Sequence, residues 1–235
     1  MSVLFLAHNT PEKIVNAANR EGLSTVILPP AFGMAAPVAS HPDMLIYAGF
    51  GRVFVRAVHE NIIDTVKRAI ELYSMPYSLS LTSDLPSDTY PDDVAFDCVM
   101  LGGALVGRAD FISHAVKRAA SEASVPVLDV KQGYAKCSSC VFGNCLITAD
   151  LSILRLVKER GVNAHLIEAG HVTLPGYGTG FIGGASFFAD GKLYFLGDVT
   201  RHPSYPVIKN AAESCGVGVV SLSDEALFDA GCLYI

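Results

Sequence analysis

The feature that most constrains the fold of this chain is a phrase of strand, helix and strand that occurs five times. In each copy a short apolar run precedes a helix with apolar residues three or four positions apart, and a second short strand-like run follows. Capping residues and glycines mark the helix ends, as Asp150 and Gly161 do in the fourth copy. The copies lie at residues 7–28, 52–81, 104–130, 145–168 and 192–222.

A further short strand is predicted in front of every copy except the first. These strands are DMLIYAG, DCVMLGG, SSCVFG and GGASFFADG, and the chain ends in a spare strand-like segment, GCLYI. If GCLYI pairs beside VLFLA, the first unit is complete and the closed ring leaves no open sheet edge. The sequence therefore predicts one α/β domain, residues 1–235, of five ββαβ units around a pseudo-fivefold axis. A doubly wound α/β fold is the alternative, but it gives the terminal strand no role.

Five units closed by a C-terminal strand resemble the pentein fold, the five-bladed α/β propeller of the guanidino-modifying enzymes. The segments that carry the resemblance are GYAKCS, ITAD, GHVTLPGYGTGFIGGAS and LFDAGCLYI. The chain most resembles an uncharacterised family of that fold, distantly similar to arginine and agmatine deiminases and dimethylargininase. The resemblance implies a cysteine thiolate that attacks a guanidinium carbon, a histidine that moves protons, carboxylates that hold the cation, and no cofactor.

The resemblance also suggests where these groups lie. The family's nucleophile is near the C-terminus after glycine, at a position that matches Cys232. His171 in GHVTLPG resembles a glycine-histidine motif of agmatine-type deiminases. Glu168, Asp43 and Asp150 would then bind the cation.

The chain departs from the family pattern at several positions. Alanine follows both double glycines where the family has an acid, at Ala104 and Ala185, and Thr173 replaces the acid after His171. The position of the histidine in better-known members is held by Tyr134 or Lys136. These departures leave two hypotheses open. One is a thiol-dependent hydrolase or amidinotransferase acting on a guanidino or amidino compound, and the other is a non-catalytic protein that binds a small molecule or a protein partner.

Three cysteines, Cys137, Cys140 and Cys145, form a C-x2-C-x4-C pattern that could indicate a metal knuckle. A Gly-Asn pair between the last two predicts a two-residue hairpin turn. Side-chain alternation then places Cys140 and Cys145 on one face and Cys137 on the other, so the three cannot converge on one metal ion. We expect no metal, core positions for Cys140 and Cys145, and a second candidate for the reactive thiol in Cys137, beside the cation of Lys136.

The segment GHVTLPGYGTGFIGG, residues 170–184, contains six glycines and several apolar side chains. Backbone that rich in glycine can approach a ligand closely. The Lys-Ser/Thr ending of a phosphate-binding loop is absent. We therefore expect a loop that lines the ligand pocket, with Tyr177 among the ligand contacts.

Composition limits the remaining possibilities. The net charge of −6, without a Lys/Arg cluster, argues against a nucleic-acid partner and fits a cationic small molecule. The N-terminal apolar run is too short for a signal peptide or a membrane span. We expect a cytoplasmic protein with reduced cysteines and no membrane partner, and the sequence leaves the oligomeric state open.

Overall fold

Five three-stranded sheets with the same internal order form the framework of the structure, a computed structural model that describes residues 2–235. In each sheet the middle strand pairs antiparallel with one neighbour and parallel with the other. The strands are β1 Val3–Ala7, β2 Ser24–Leu28, β3 Ile46–Gly49, β4 Arg52–Arg56, β5 Ser78–Thr82, β6 Val99–Leu101, β7 Ala104–Gly107, β8 Val127–Asp129, β9 Cys140–Phe142, β10 Cys145–Thr148, β11 Asn163–Leu166, β12 Val172–Thr173, β13 Ser186–Ala189, β14 Lys192–Phe195, β15 Gly218–Ser221, β16 Leu227–Phe228 and β17 Leu233–Tyr234. The five sheets are β17-β1-β2, β3-β4-β5, β6-β7-β8, β9-β10-β11 and β13-β14-β15. The remaining two strands, β12 and β16, pair with each other in a separate ribbon.

Helices connect the middle strand of each sheet to its parallel neighbour. They are α1 Glu12–Arg20, α3 Glu60–Leu72, α4 His114–Glu122, α5 Leu151–Lys158 and α6 Tyr205–Ser214, with a one-turn helix α2 at Pro42–Leu45 and 3-10 turns at Ala36–Val38 and Val199–Arg201. The α3 helix buries Ile62, Val66 and Ala69, the spacing that an amphipathic helix presents to a sheet. Within residues 2–235 no helix combines the length and hydropathy that crossing a bilayer requires.

The two ends of the described chain pair with each other. Strand β17 lies antiparallel to β1, with Leu4 opposite Tyr234 and Phe5 opposite Leu233. The backbone N–H of Val3 donates to the carbonyl of Ile235 at 2.7 Å. The pairing predicted for GCLYI and VLFLA is therefore confirmed, and the last residues of the chain complete the first sheet.

The local predictions for the fourth unit are confirmed. Strands β9 and β10 form the expected hairpin, in which Cys140 lies opposite Ile147 and Phe142 opposite Cys145, all four buried in one core cluster. The Asp150 carboxylate accepts hydrogen bonds from the backbone of the first turn of α5, at 2.8 and 2.9 Å, as a helix cap does.

Two expectations were wrong. Cys145 is joined in a disulfide to Cys215 at the end of α6, whereas reduced cysteines were expected. The two lie 70 residues apart in the chain and meet only because α6 packs against β10. In the second unit the predicted strand DMLIYAG begins as helix α2, because Pro42 occupies its first position. Asp43 consequently lies on a helical turn just before β3.

Candidate functional site

The segments that precede the first strands of the five sheets meet in one buried cluster. The Cys137 sulfur, before β9, lies 2.8 Å from Asp97 Oδ2, before β6, and 3.0 Å from Asp43 Oδ2, before β3. The backbone N–H of Gly183, before β13, donates to the Cys137 carbonyl at 2.8 Å, and that of Asp43 donates to the carbonyl of Gly231, before β17, at 3.0 Å. Each unit thus contributes one residue to the cluster.

Two of these five positions require glycine. A Cβ on Gly183 would lie 2.5 Å from the Lys136 carbonyl oxygen and would overlap two further backbone carbonyls. Gly231 has a φ of +55°, and a Cβ there would lie 2.6 Å from the Cβ of His41. The five segments can therefore approach closely only because glycine, which has no side chain, occupies these two positions.

Lys136 supplies the positive charge of the cluster. Its ammonium lies 3.3 Å from Asp43 Oδ2 and donates to the carbonyls of Gly183, at 3.0 Å, and Cys232. The Lys136 side chain is 12% exposed and that of Asp43 is 0% exposed, so the pair is shielded from solvent. Burial acts to lower the pKa of Lys136, but Asp43 and the neighbouring acidic groups outweigh it and the pKa is raised.

Burial raises the pKa values of acidic groups in the cluster. The pKa of Asp97 is raised well above its usual value, first by burial and then by the charge of Asp43. The pKa of the Cys137 thiol is raised by burial and by both carboxylates, more than the nearby ammonium lowers it. Asp97 Oδ1 accepts the backbone N–H groups of Lys136, at 2.6 Å, and Cys137, at 3.1 Å. Cys137 is therefore a neutral thiol that donates toward carboxylate oxygens.

A cavity of about 170 Å³ extends from Cys137 between apolar and aromatic side chains. One wall is the ring of Tyr134, which packs against Phe181 with ring centroids 5.7 Å apart. Phe181, Leu174, Tyr177 and Thr179 all line the cavity. The glycine-rich segment thus forms part of the wall of this cavity, and a ligand-contact role for Tyr177 stays a prediction.

The same cavity contains a histidine and a carboxylate close together. His41 is 1% exposed, and its Nδ1 lies 3.8 Å from Asp229 Oδ1. Neither ring nitrogen of His41 has a hydrogen-bond partner among the described residues. Asp229 is fixed by the backbone N–H groups of Phe181, at 2.8 Å, and Gly231, at 3.0 Å. Burial is the main cause of the raised pKa of Asp229.

Cys232 and His171, the pair expected from the resemblance, line different cavities. Cys232 is fully buried, its thiol donates to the Ser186 carbonyl at 3.2 Å, and it borders a cavity of about 310 Å³ that does not include His171. His171 lies in an open cleft, with Nε2 3.2 Å from Glu168 Oε1 and its ring 5.4 Å from that of His202.

The remaining predicted residues divide into two groups. Asp43, Lys136 and Cys137 lie in the cluster described above. Glu168 and Asp150 border a separate cavity of about 180 Å³, where Asp150 also caps α5.

Three functional candidates were not recognised from the sequence: Asp97, His41 and Asp229. Asp97 begins DCVMLGG as Asp43 begins DMLIYAG, so alignment of the units on each other would have found it. His41 precedes Pro42 and Asp43, and nothing in a His-Pro-Asp sequence shows that the ring turns inward. Asp229 lies three residues before Cys232, and no local pattern distinguishes it from a surface carboxylate.

The donor atoms of Asp43, Asp97 and Cys137 lie within 4.8 Å of one another, and within residues 2–235 they are the one group arranged to hold a metal ion. Carboxylate and thiolate are ligands that zinc accepts. However, the Lys136 ammonium already contacts Asp43 Oδ2, the oxygen that faces the thiol. The protein supplies its own cation at this point, and we assign no metal.

Comparison with known proteins identifies the family to which the chain belongs and solved structures of similar fold. Residues 5–234 match the model of a family of unknown function, DUF6873. No curated protein sequence matches the chain.

Several solved structures of similar fold are remote in sequence. A mutant DDAH, or dimethylarginine dimethylaminohydrolase, from Pseudomonas aeruginosa in complex with citrulline aligns with a TM-score of 0.61 at 9% identity, over 99% of this chain and 98% of that one. The N-terminal domain of ArgZ, a cyanobacterial arginine dihydrolase bound to its substrate, gives 0.55 at 12% identity over 93% and 90%. SxtG, an amidinotransferase from Microseira wollei, gives 0.56 at 10% identity over 96% and 79%.

At these identities the likeness concerns the fold, and it agrees with the expected relationship to the pentein proteins. The match to the family model covers nearly the whole chain. The chain belongs to the DUF6873 family of unknown function and is distantly related to the pentein, or guanidino-modifying-enzyme, fold.

Proposed function

We propose that this protein is a cysteine-dependent hydrolase or amidinotransferase that acts on a guanidino or amidino compound, with Cys137 as the reactive thiol. The observation that carries the proposal is a thiol held 2.8 and 3.0 Å from two carboxylates at the end of an aromatic-walled cavity. In this proposal the five sheets are the blades of a closed propeller in one domain, and the cluster lies on its axis.

The cavity offers what a planar cation needs. Asp229 borders it. Asp43 contacts the Cys137 sulfur next to the cavity, and its buried Oδ1 has no hydrogen-bond partner among the described residues. Carboxylates bind guanidinium through paired hydrogen bonds, and the rings of Tyr134 and Phe181 can lie against its faces. The net charge of −6 favours approach of a cation.

A bound cation would also activate the thiol. The pKa of Cys137 is raised by burial and by Asp43 and Asp97, so the thiol alone is a weak nucleophile. A guanidinium beside the thiol adds positive charge, which lowers the pKa of the thiol and of Asp97. Asp97 is then ionised, and its Oδ2 is placed to take the thiol proton. Reactivity is thereby coupled to the presence of substrate.

Cys232 is the alternative thiol. We assign the role to Cys137 because the Cys232 thiol donates into the core, to the Ser186 carbonyl. His171, Glu168 and Asp150 remain candidates for contacts with the outer part of a substrate, since their cavities share Thr179 with the Cys137 cavity.

The test is release of ammonia and of ureido product from arginine, agmatine, methylated arginines and arginyl peptides. Transfer is tested with glycine as amidino acceptor. We expect turnover that is abolished in Cys137→Ser and retained in Cys232→Ser, which has the same chemical change at a second buried thiol. Loss of activity only in Cys232→Ser would move the nucleophile to that residue. Absence of turnover with every compound would contradict the enzyme proposal.

A non-catalytic binding protein is the second candidate. The observation in its favour is that the Lys136 ammonium already neutralises the charge of Asp43, so this carboxylate needs no cationic substrate to balance it. Such a protein would show saturable calorimetric binding of a guanidino compound, weakened by Asp229→Asn, without product formation.

A further inference from the structure

His41 is a buried histidine whose hydrogen-bonding capacity is unused within the protein. It is 1% exposed, and both ring nitrogens are without a partner among the described residues. Buried polar groups in native proteins are nearly always hydrogen-bonded to protein, water or ligand. An imidazole in this condition, on the wall of the cavity that contains Cys137, therefore indicates a partner that enters the cavity.

Other histidines of the chain are differently placed. His59 Nε2 contacts the Phe32 carbonyl at 3.1 Å, and His202 Nδ1 accepts the Ser204 N–H at 3.0 Å. Within the described chain, His41 is the one histidine that lines the cavity of Cys137.

The neighbours of His41 fix its ring in place. Asp229 Oδ1 lies 3.8 Å from Nδ1, and Asp229 itself is held by two backbone N–H groups. A Cβ on Gly231 would lie 2.6 Å from the His41 Cβ and 2.7 Å from its Cγ, so only glycine leaves room for the imidazole. A Cβ on Gly184 would likewise overlap the Asp229 carboxylate. With Nδ1 directed at Asp229, Nε2 is available to a ligand.

We propose that His41 is the proton-transfer residue of this site, with Asp229 as its positioning residue. The inference rests on the proposed function and departs from the His171 expected by resemblance. Four titratable groups line the cavity with His41: Asp229, Tyr134, Tyr177 and Cys137. Asp43 lies beside the cavity, since Gly231 packs against both Asp43 and His41.

The hydrolytic reaction balances with these groups. The Cys137 proton passes to Asp97, and the sulfur forms a bond to the guanidinium carbon. Protonated His41 gives its proton to one nitrogen, the C–N bond breaks, and ammonia leaves a cationic thiouronium. Water then adds to the carbon and returns a proton to His41, the C–S bond breaks, and the thiolate recovers its proton from Asp97. The hydroxyl proton of the resulting ureido group goes to the ammonia, so guanidinium and water become ureido product and ammonium.

The experiment measures kcat, KM and the pH–rate profile of the full chain and of His41→Asn, His41→Gln and Asp229→Asn. His114→Asn, at an exposed helix start, is the matched control. We expect both His41 variants to lower kcat by about 10²–10⁴-fold with little change in KM, and to lose one limb of the pH profile. Asp229→Asn should shift that limb of the pH profile. In a further variant, His41→Ala, added imidazole should restore part of the lost activity.

Several results would overturn the inference. Active His41→Asn or His41→Gln with unchanged kcat and pH profile would refute it while the thiol-enzyme proposal stands. A wild-type protein that turns over no guanidino or amidino compound would refute both. If His41→Asn fails to fold, the same readouts on His41→Gln and on rescue of His41→Ala decide the matter.

Discussion

Removing the ammonium of Lys136 should strongly destabilise the fold, because Asp43 would remain buried without its cation. We consider Lys136→Met, which keeps the length and apolar stem of the side chain. The Asp43 side chain is 0% exposed and its carboxylate lies 3.3 Å from the ammonium, so water cannot replace the lost partner without opening the cluster. Loss of one member of a buried ion pair costs about 3–5 kcal/mol. In a domain of this size, that loss corresponds to a fall in Tm of roughly 6–20 °C.

The assay is urea unfolding at pH 7 of wild type, Lys136→Met, Asp43→Asn and the double variant. Lys209→Met, which breaks an exposed pair with Glu213 on α6, is the control and should change stability little. The double variant should recover most of the loss seen in Lys136→Met. If Lys136→Met unfolds like wild type at pH 7, or loses the same free energy when residue 43 is asparagine, the charge argument is wrong.

Three further predictions concern single residues. Because burial raises the pKa of Asp97 in the folded state, the free energy of unfolding of wild type should fall as pH rises above about 4, and that of Asp97→Asn should not. Urea unfolding between pH 4.5 and 7.5 should show the slopes of the two proteins differing by up to about 1.4 kcal/mol per pH unit. Parallel dependence of the two free energies on pH would contradict the burial argument. Gly183→Ala should destabilise by at least about 1–3 kcal/mol because its Cβ meets three backbone carbonyls, whereas Gly178→Ala, with nothing within 4 Å, should be nearly neutral in thermal melts; equal effects would refute the packing. Asp150→Ala should lower stability by about 1 kcal/mol through loss of the α5 cap, measured by the same melts, and an unchanged Tm would refute that role.

Several features whose determining contacts are local were predicted from the sequence. The α5 cap at Asp150 and the β9–β10 hairpin depend on residues a few positions apart, and both were predicted. The pairing of GCLYI with the first strand was also predicted, because a repeat that lacked one strand had one to spare.

The candidate site depends on contacts that no local pattern contains. Cys137 lies 40 residues from Asp97 and 94 from Asp43 along the chain. Each of the three lies near the start of its unit, and no short motif marks it as a functional residue. His41 faces inward only because Gly231, from the opposite end of the chain, makes room for it. Similarity to a motif located Cys232 near the site, but it could not show that this thiol donates to Ser186 and borders a different cavity from that of Cys137.

The pairing of β17 with β1 has a consequence for how the chain could be rearranged. Val3 and Ile235 are hydrogen-bonded neighbours, so a short peptide linker could join them without disturbing either strand. New termini could then be opened in an exposed connection between units, such as the turn after α4 at Ser124. The order in which the units are synthesised would change, while each would keep its neighbours. A circularly permuted protein should therefore assemble the same cluster around Cys137.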